Sequence, residues 1–583
     1  MNATGPFARF RGKRALVMGL GLWQGGVEAV KFLHACGVSE LLVTDLRDAA
    51  TLERSLQAIA VIPVQLRLGE HLREDFERAE VVLHSAAVRP DHELLQLARA
   101  RGAEVTQEMS LFIEACPAPT IGITGSNGKT TTTLLCYEML RRVFAPAQPD
   151  LWTQWADAVP PAEVPHCVEP PTALPRVWLG GNVGTPLINR LAEIRPDDIV
   201  LLELSSFQLQ AWHGIRRSCS VGLITNITPN HLDWHRDLAE YTRAKTAVFC
   251  WPREQTEPAC CTPAGPRLVF PPALLNRDDS ALRALDVARF ADCHAPATLP
   301  DALRARLAGV SKETPRVWFS AVEAAGYATP ADEDYVAVSG AGGLLTVTGP
   351  DVLPDQPGQT RDGVRTVAVA RRADLRLPGA FNWANAVAAV AAVWAGAPQA
   401  LPEVAAALRT FRGAEHRLEP CGEVNGARVY NDSIGTDPAA TMAALTAFEG
   451  SLRLILGGGS KKIDYAELGR RIAAHGGVKA LYLQGPTGPA IRAAAQAAGA
   501  ECPLGEYGSF DEACRAAFRD AQPGEVLLMS PASTSFYEYD TGKWFKNFEQ
   551  RGLHFKRLVK AHCTNTTTGN LGELGARGHR DLQ

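Results

Sequence analysis

No run of about 18 or more apolar residues, the length a membrane helix needs, occurs anywhere in the 583 residues. No spanning segment is therefore expected. The opening stretch, Met1 to Arg14, also lacks the apolar core of a signal peptide. Charge of one sign is not in excess: 59 basic against 63 acidic residues leave a formal net charge of -4. That balance gives no global attraction to nucleic acid or a membrane surface. The 13 cysteines form no Cys-x-x-Cys pair, and Cys260 and Cys261 are adjacent, which excludes a usual bridge between them. Reduced thiols in a cytoplasm are the expected state. The chain is too long for one core, so two to four domains are expected.

Against this ordinary background stands Gly122-Ile123-Thr124-Gly125-Ser126-Asn127-Gly128-Lys129-Thr130-Thr131. Thr120 to Ile123 reads as a short buried strand, and Thr132 to Leu140 as a helix. Strand, glycine loop, Gly-Lys-Thr and helix together make a phosphate cradle, because successive backbone N–H groups and the helix N-terminus point at an anion. Lys129 reaches the outer phosphates in such a loop, and the Thr130 hydroxyl holds Mg2+. The spacing is a shorter Gly-x-x-Gly-Lys-Thr-Thr, with Ile123 where the strict P-loop has glycine.

A second glycine turn, Gly19-Leu20-Gly21-Leu22-Trp23-Gln24, follows the strand-like Arg14 to Met18. It precedes a helix over Val27 to Ala35 and a strand ending at Asp45, giving a βαβ unit with a nucleotide-binding look. Gln24 stands at the third fingerprint position, which argues against a dinucleotide. Apolar runs at 199–204 and 221–226 read as buried parallel strands. Pro-rich stretches at about 145–175 and 252–272 read as insertions. Further strands at 452–456, 480–483 and 526–529 alternate with helices in a third segment. The polar residues from His562 onward are expected to be disordered.

Polar side chains recur at strand ends, where open α/β sheets bind ligands. Glu203 closes one strand and is followed by Ser205 and Gln208. Asn226 to Asp233, containing His231, follows the next. Lys245 lies on a helix just beyond. Asn382 and Asn385 are three apart on one helix face. In the third segment Gly457 to Lys462 is a glycine loop with cations, and Ser530 to Ser535 offers hydroxyl donors.

In order along the chain these motifs resemble the Mur ligase family. The carriers are Thr124 to Thr131, Gly180-Gly181-Asn182-Val183-Gly184, Leu202-Glu203-Leu204-Ser205-Ser206-Phe207-Gln208-Leu209, Asn382 with Asn385, His416-Arg417, Asn431-Asp432-Ser433 and Phe545 to Gly552. The run from Leu202 to Leu209 points to the glutamate-adding branch. The resemblance implies an α/β protein of three domains. A Rossmann-like domain at 1–115 holds the UDP substrate. A central P-loop-type ATPase domain with a parallel sheet covers 116–412. A Rossmann-like domain at 413–561 binds ATP and glutamate, and a tail at 562–583 follows.

The implied reaction is ATP-dependent addition of D-glutamate to UDP-N-acetylmuramoyl-L-alanine through an acyl phosphate, in peptidoglycan synthesis. The implied agent is a cytoplasmic monomer without nucleic-acid or membrane partners. By position Gly19, Gly21 and Asp45 face UDP, and Asn182, Ser205 and Gln208 lie along its sugar-phosphate part. Gly125, Ser126, Asn127, Gly128, Lys129, Thr130 and Thr131 hold ATP phosphates. Asn382 and Asn385 meet adenine, Asp432 the ribose and Arg417 the γ-phosphate. Thr130, Glu203, His231 and Lys245, the last as a carbamate, serve two Mg2+ ions. Lys129, His231 and Lys245 are the expected catalytic groups. Thr436, Lys461, Ser535 and Phe548 surround the glutamate.

Three departures stand out. Ile434 replaces a cation after Asn431-Asp432-Ser433, Phe381 replaces a histidine, and the segment from Ser535 to Phe548 is long. Alternatives are the L-glutamate-adding variant, a P-loop regulator that is not a ligase, a folate polyglutamate ligase (disfavoured by residues 1–115) and an NAD-dependent dehydrogenase (disfavoured by Gln24).

Overall fold

A computed structural model describes residues 5–22, 24–146, 175–254, 261–262, 265–266, 268–269, 271–285, 316–322, 336–349, 359–361, 364–460, 463–540 and 543–577. The chain forms two compact units. One comprises Met1–Leu375 with Trp383–Thr410, the other Arg376–Asn382 with Phe411–Gln583. Three main α/β sheets are distributed between them, two in the first unit and one in the second.

The first sheet contains β1 (Arg14–Met18), β2 (Glu40–Asp45), β3 (Gln65–Leu68), β4 (Val81–His84) and β5 (Glu104–Thr106). Their order is β3-β2-β1-β4-β5 and every pairing is parallel. β1 and β4 are almost wholly buried, which is why they read as unbroken apolar runs rather than alternating ones. The order reverses between β1 and β4, the topological switch point where such sheets bind ligands. The glycine turn after β1 sits there: a Cβ on Gly19 would lie 3.0 Å from the Ser85 Cβ that follows β4.

The second sheet has ten strands. Third from one margin is β6 (Thr120–Thr124), paired in parallel with β8 (Ile199–Glu203) on one side and β9 (Val221–Ile224) on the other. β7 (Val177–Gly181) lies outside β8. Beyond β9 come Ala273–Asn276, Arg316–Ser320 and Val336–Ser339, still parallel. The sheet then turns antiparallel through Leu344–Gly349, Val364–Arg371 and Gln359–Arg361. The expected parallel sheet is thus its core, extended by a meander that apolar runs alone did not announce. The Pro-rich stretch at 145–175 lies almost entirely outside the described residues. Of 252–272, the described parts are short two-residue strands in separate hairpin pairs.

The second unit holds a six-stranded sheet in the order Glu419–Val424, Ala427–Asn431, Val526–Met529, Leu452–Gly457, Val478–Gln484, Leu504–Tyr507. All pairings are parallel except the first hairpin. Because the middle strands are neighbours, the loops after Asn431, Met529 and Gly457 lie together at one edge. The long segment after Ser535 is a hairpin, Tyr537–Asp540 with Lys543–Phe545. Its Tyr537 and Phe545 rings are buried, with Phe545 edge-on to Phe510. The last helix runs Phe548–Arg577. It takes in residues 562–577 of the tail expected to be disordered, and 578–583 lie outside the described residues.

Asp198, fully buried at the turn entering β8, ties this region down. It accepts the backbone N–H groups of Arg176 at 2.9 Å and Arg195 at 3.0 Å, and the Trp178 indole N–H at 2.8 Å. Burial raises its pKa, but these donors, with Arg195 added, outweigh burial and hold it below the ordinary carboxylate value. Asp198→Ala is expected to cost about 3 kcal/mol, because the buried donors lose their acceptor. A lower urea midpoint checks this. The stabilising share is present above the unfolded pKa of about 3.9 and is lost as pH falls through the lower folded value, so the gap between wild type and variant narrows in acid.

Candidate active site

The loop after β6 is held open by its neighbours. Ser126 N donates to Asn226 O at 2.9 Å and Asn127 N to Asn226 Oδ1 at 2.9 Å. Thr225 Oγ1 and Asn226 Nδ2 both donate to Asn127 O, at 2.6 and 3.0 Å. Ser126 Oγ meets Thr228 O at 2.9 Å and the Tyr241 hydroxyl at 3.0 Å. Glycine is required at two points. Gly125 has φ +145° and a Cβ there would lie 1.9 Å from Thr225 Oγ1; Gly128 has φ +83° and a Cβ would lie 2.1 Å from Asn385 Oδ1.

The helix Lys129–Phe144 begins immediately after Gly128, which supplies no side-chain cap. Its first-turn N–H groups therefore keep their donor capacity for an anion, with the helix dipole behind them. Lys129 Nζ folds onto the loop carbonyls of Gly125 and Ser126, at 3.0 and 3.1 Å. A cradle that a Cβ would fill, uncapped N–H groups and a lysine on the same loop fit a nucleotide triphosphate.

The strand order brings the remaining groups in. Ile123 on β6 is in register with Glu203, the buried last residue of β8. Lys245, on the helix Leu238–Thr246, is 1 % exposed. Its Nζ donates to Gly125 O at 2.8 Å and Thr124 Oγ1 at 3.3 Å, and lies 4.5 Å from the Tyr241 ring centre. Burial pulls its pKa well below the lysine value; the Lys129 charge pulls the same way, and Glu203 opposes them. The shift favours the neutral, nucleophilic form of the amine. His231 sits at φ +54° in the loop after β9, ring edge to Phe207. Partial burial and then Lys129 lower its pKa, which favours the neutral imidazole a metal needs.

Other predicted residues are placed as follows. Gly19 and Gly21 form the turn at the first switch point, and Asp45 takes Gly21 N at 2.9 Å and Arg47 N at 2.9 Å. Asn182 is exposed after β7, its N–H on Glu203 O. Ser205 and Gln208 form a capping box: Gln208 N donates to Ser205 Oγ at 3.2 Å and Ser205 N to Gln208 Oε1 at 2.9 Å. Both side chains thus start the helix Ser206–Ile215, a role that the spacing Ser-x-x-Gln itself announces. Asn382 and Asn385 share the helix Ala380–Gly396, and Asn382 Nδ2 donates to Pro378 O.

In the second unit Asp432 is buried and accepts Ser530 Oγ at 2.7 Å and Leu418 N at 3.2 Å; burial raises its pKa to about 6. Arg417 is exposed between His416 and Leu418, both at positive φ. Thr436, Ser535 and Phe548 follow neighbouring strand ends or open the last helix. Lys461 lies outside the described residues. Thr225 and Tyr241 were assigned no site role and Asn226 only a place at the start of a polar strand-end run, yet all three brace the phosphate loop. The signal was their place directly after β9 and one turn before Lys245.

The residues 123–260 match the model of the Mur ligase middle domain, and 416–533 that of the Mur ligase glutamate ligase domain. A protein of Acetivibrio thermocellus named UDP-N-acetylmuramoylalanine–D-glutamate ligase is 32% identical over 95% of this chain and 97% of its own length. Proteins with the same name from Roseiflexus sp. and Symbiobacterium thermophilum are 33% and 32% identical, each over 94% of this chain and 99% and 98% of their own.

Gly128→Ala is expected to weaken a fluorescent ATP analogue by about tenfold or more, since the methyl meets Asn385 and the left-handed backbone strains an alanine. Equilibrium fluorescence titration checks this, with unchanged affinity as the contrary result.

Proposed function

The chain belongs to the Mur ligase family, and from that premise we propose that it joins D-glutamate to UDP-N-acetylmuramoyl-L-alanine at the expense of ATP. The observation that carries this reading is the preformed phosphate cradle after β6, with Glu203 and a buried, neutral-leaning Lys245 beside it. Likeness to D-glutamate ligases along almost the whole chain supports the substrate pair.

The reaction has two steps. The alanine carboxylate attacks the γ-phosphorus of ATP, giving an acyl phosphate and ADP. The glutamate amine then attacks the acyl carbon; a proton leaves the nitrogen, the C–O bond to phosphate breaks, and the amide remains. The residues Gly125 to Thr131 bind the phosphates, and Lys129 leaves its loop carbonyls to face the transferring group. Its charge offsets the charge that develops there. Thr130, Glu203 and neutral His231 are the groups that would hold Mg2+, which when bound polarises phosphate oxygens.

Lys245 has a further use. The buried lysine ammonium gives up one proton to become a neutral amine, which adds to CO2 with loss of a second proton, so that a cation becomes a carboxylate beside Glu203. That change replaces a positive charge near Lys129 by a negative one, the sign a divalent cation requires. Gly19, Gly21, Asp45 and Asn182 are assigned to the UDP substrate. Asn382, Asn385, Arg417 and Asp432 are assigned to ATP, and Thr436, Lys461, Ser535 and Phe548 to glutamate. Ser205 and Gln208 take part through the capping box that sets the helix after Glu203.

Phosphate release should require ATP, Mg2+, UDP-N-acetylmuramoyl-L-alanine and glutamate together, and D-glutamate should outpace L-glutamate. Faster turnover with L-glutamate would transfer the reading to the L-adding variant. Lys129→Ala and Glu203→Ala are each expected to lower kcat by about a thousandfold while the far-ultraviolet circular dichroism stays native. Lys245→Ala should lose most activity and regain part of it with millimolar acetate or propionate; full activity without rescue would refute the carbamate.

A further inference from the structure

The most deeply buried cation of the second unit is Arg551, with no exposed surface at all. It stands on the last helix, one turn after Phe548. Among the described residues its guanidinium meets only neutral acceptors, with the buried Tyr537 hydroxyl also beside it. Nε donates to Ser433 Oγ at 3.0 Å and Nη2 to Ser433 O at 2.8 Å; Nη1 donates to Ser533 O at 3.1 Å and Thr534 O at 3.2 Å. The Gly458 backbone lies against the same group, since a Cβ there would be 3.2 Å from Nη1. Ser433 Oγ in turn donates to Phe548 O at 2.7 Å. One side chain therefore joins the loops after Ala427–Asn431, Val526–Met529 and Leu452–Gly457, three adjacent strands of the sheet.

A guanidinium is costly to bury without an acid, and among the described residues none lies within ion-pair distance of this one. Asp432 acts on it only at longer range, and its oxygens are engaged by Ser530 and Leu418. Burial lowers the Arg551 pKa to about 10, which still leaves it charged at neutral pH. An apolar residue would fill the space at less cost, so the charge calls for a use. The loops it joins are those that lead to Thr436 and Ser535, and Phe548 is on its own helix.

We propose that Arg551 is a positioning residue of the amino-acid pocket, which sets the three loops and leaves an unneutralised positive charge beneath them for an incoming amino dicarboxylate. This rests on the reading of these loops as the glutamate site. The guanidinium does not touch the substrate; it acts through the Ser433, Ser533 and Thr534 carbonyls and through its field.

Steady-state kinetics of full-length Arg551→Met, Arg551→Lys and Ser433→Ala test it. Arg551→Met should raise KM for glutamate by about tenfold or more, with KM for ATP and for the UDP substrate within about twofold of wild type. Arg551→Lys, which keeps the charge but loses the fork, should show a smaller rise. The preference for glutamate over glutamine, which carries one charge fewer, should narrow in Arg551→Met and not in Ser433→Ala. A purely structural role would change the folded fraction and leave that preference alone. Should the arginine variants fail to fold, Ser433→Ala decides by its KM for glutamate. Unchanged KM and unchanged preference overturn the proposal. Absence of glutamate-dependent phosphate release in the wild type would instead overturn the functional reading itself.

Discussion

The parallel pairing of β6 between β8 and β9 is the constraint from which the phosphate site follows. Every strand in that trio is buried along its length, so each must enter as an unbroken apolar run and place its polar residues at the ends. With Ile123 against Glu203 on one side and Thr124 against Ile224 on the other, the loop after β6 has a carboxylate and an Asn-rich loop as its walls. The backbone N–H groups of Ser126 and Asn127 are then turned by Asn226, leaving the helix start uncapped. Sheet register thereby becomes anion chemistry without a further device.

Desolvation supplies the second layer. Lys245 and Lys129 share the Gly125 carbonyl as an acceptor, and burial pulls the pKa of the deeper one well below the lysine value. Partial burial and the Lys129 charge lower the His231 pKa as well. In the second unit burial acts in opposite directions on Asp432 and Arg551, raising one pKa and lowering the other, as a low-dielectric site must. The polar edges of both units are thus places where charge is held at a cost in stability, which is the usual mark of function.

What could be read from residues alone divides along physical lines. Parallel strands announce themselves by apolar runs, so β1, β6, β8 and β9 were visible, as was the glycine loop that fits a phosphate cradle. The antiparallel meander from Leu344 to Arg371 was not, because alternating half-buried strands of mixed composition resemble loops. Ser205 and Gln208 show the other limit. Their pattern carried both a substrate reading and a capping reading, and the structure displays the second directly. Arg551 lay inside a quoted motif and Tyr241 one turn before Lys245, yet their importance depends on contacts with residues far along the chain, on Ser126 for Tyr241 and on Ser433 and Ser533 for Arg551. No local pattern encodes such pairings.

The antiparallel meander has a consequence for life at high concentration. A long parallel sheet ending on an apolar edge would offer free N–H and C=O groups to any other chain in the cell. Here the far margin is Gln359–Arg361, three residues long and wholly polar, reached only after the sheet has reversed direction. The opposite margin, β7, ends in Gly180 and Gly181, and Gly181 is at φ +90° while still in register with Glu203. The Gln359–Arg361 border is therefore a poor template for another strand.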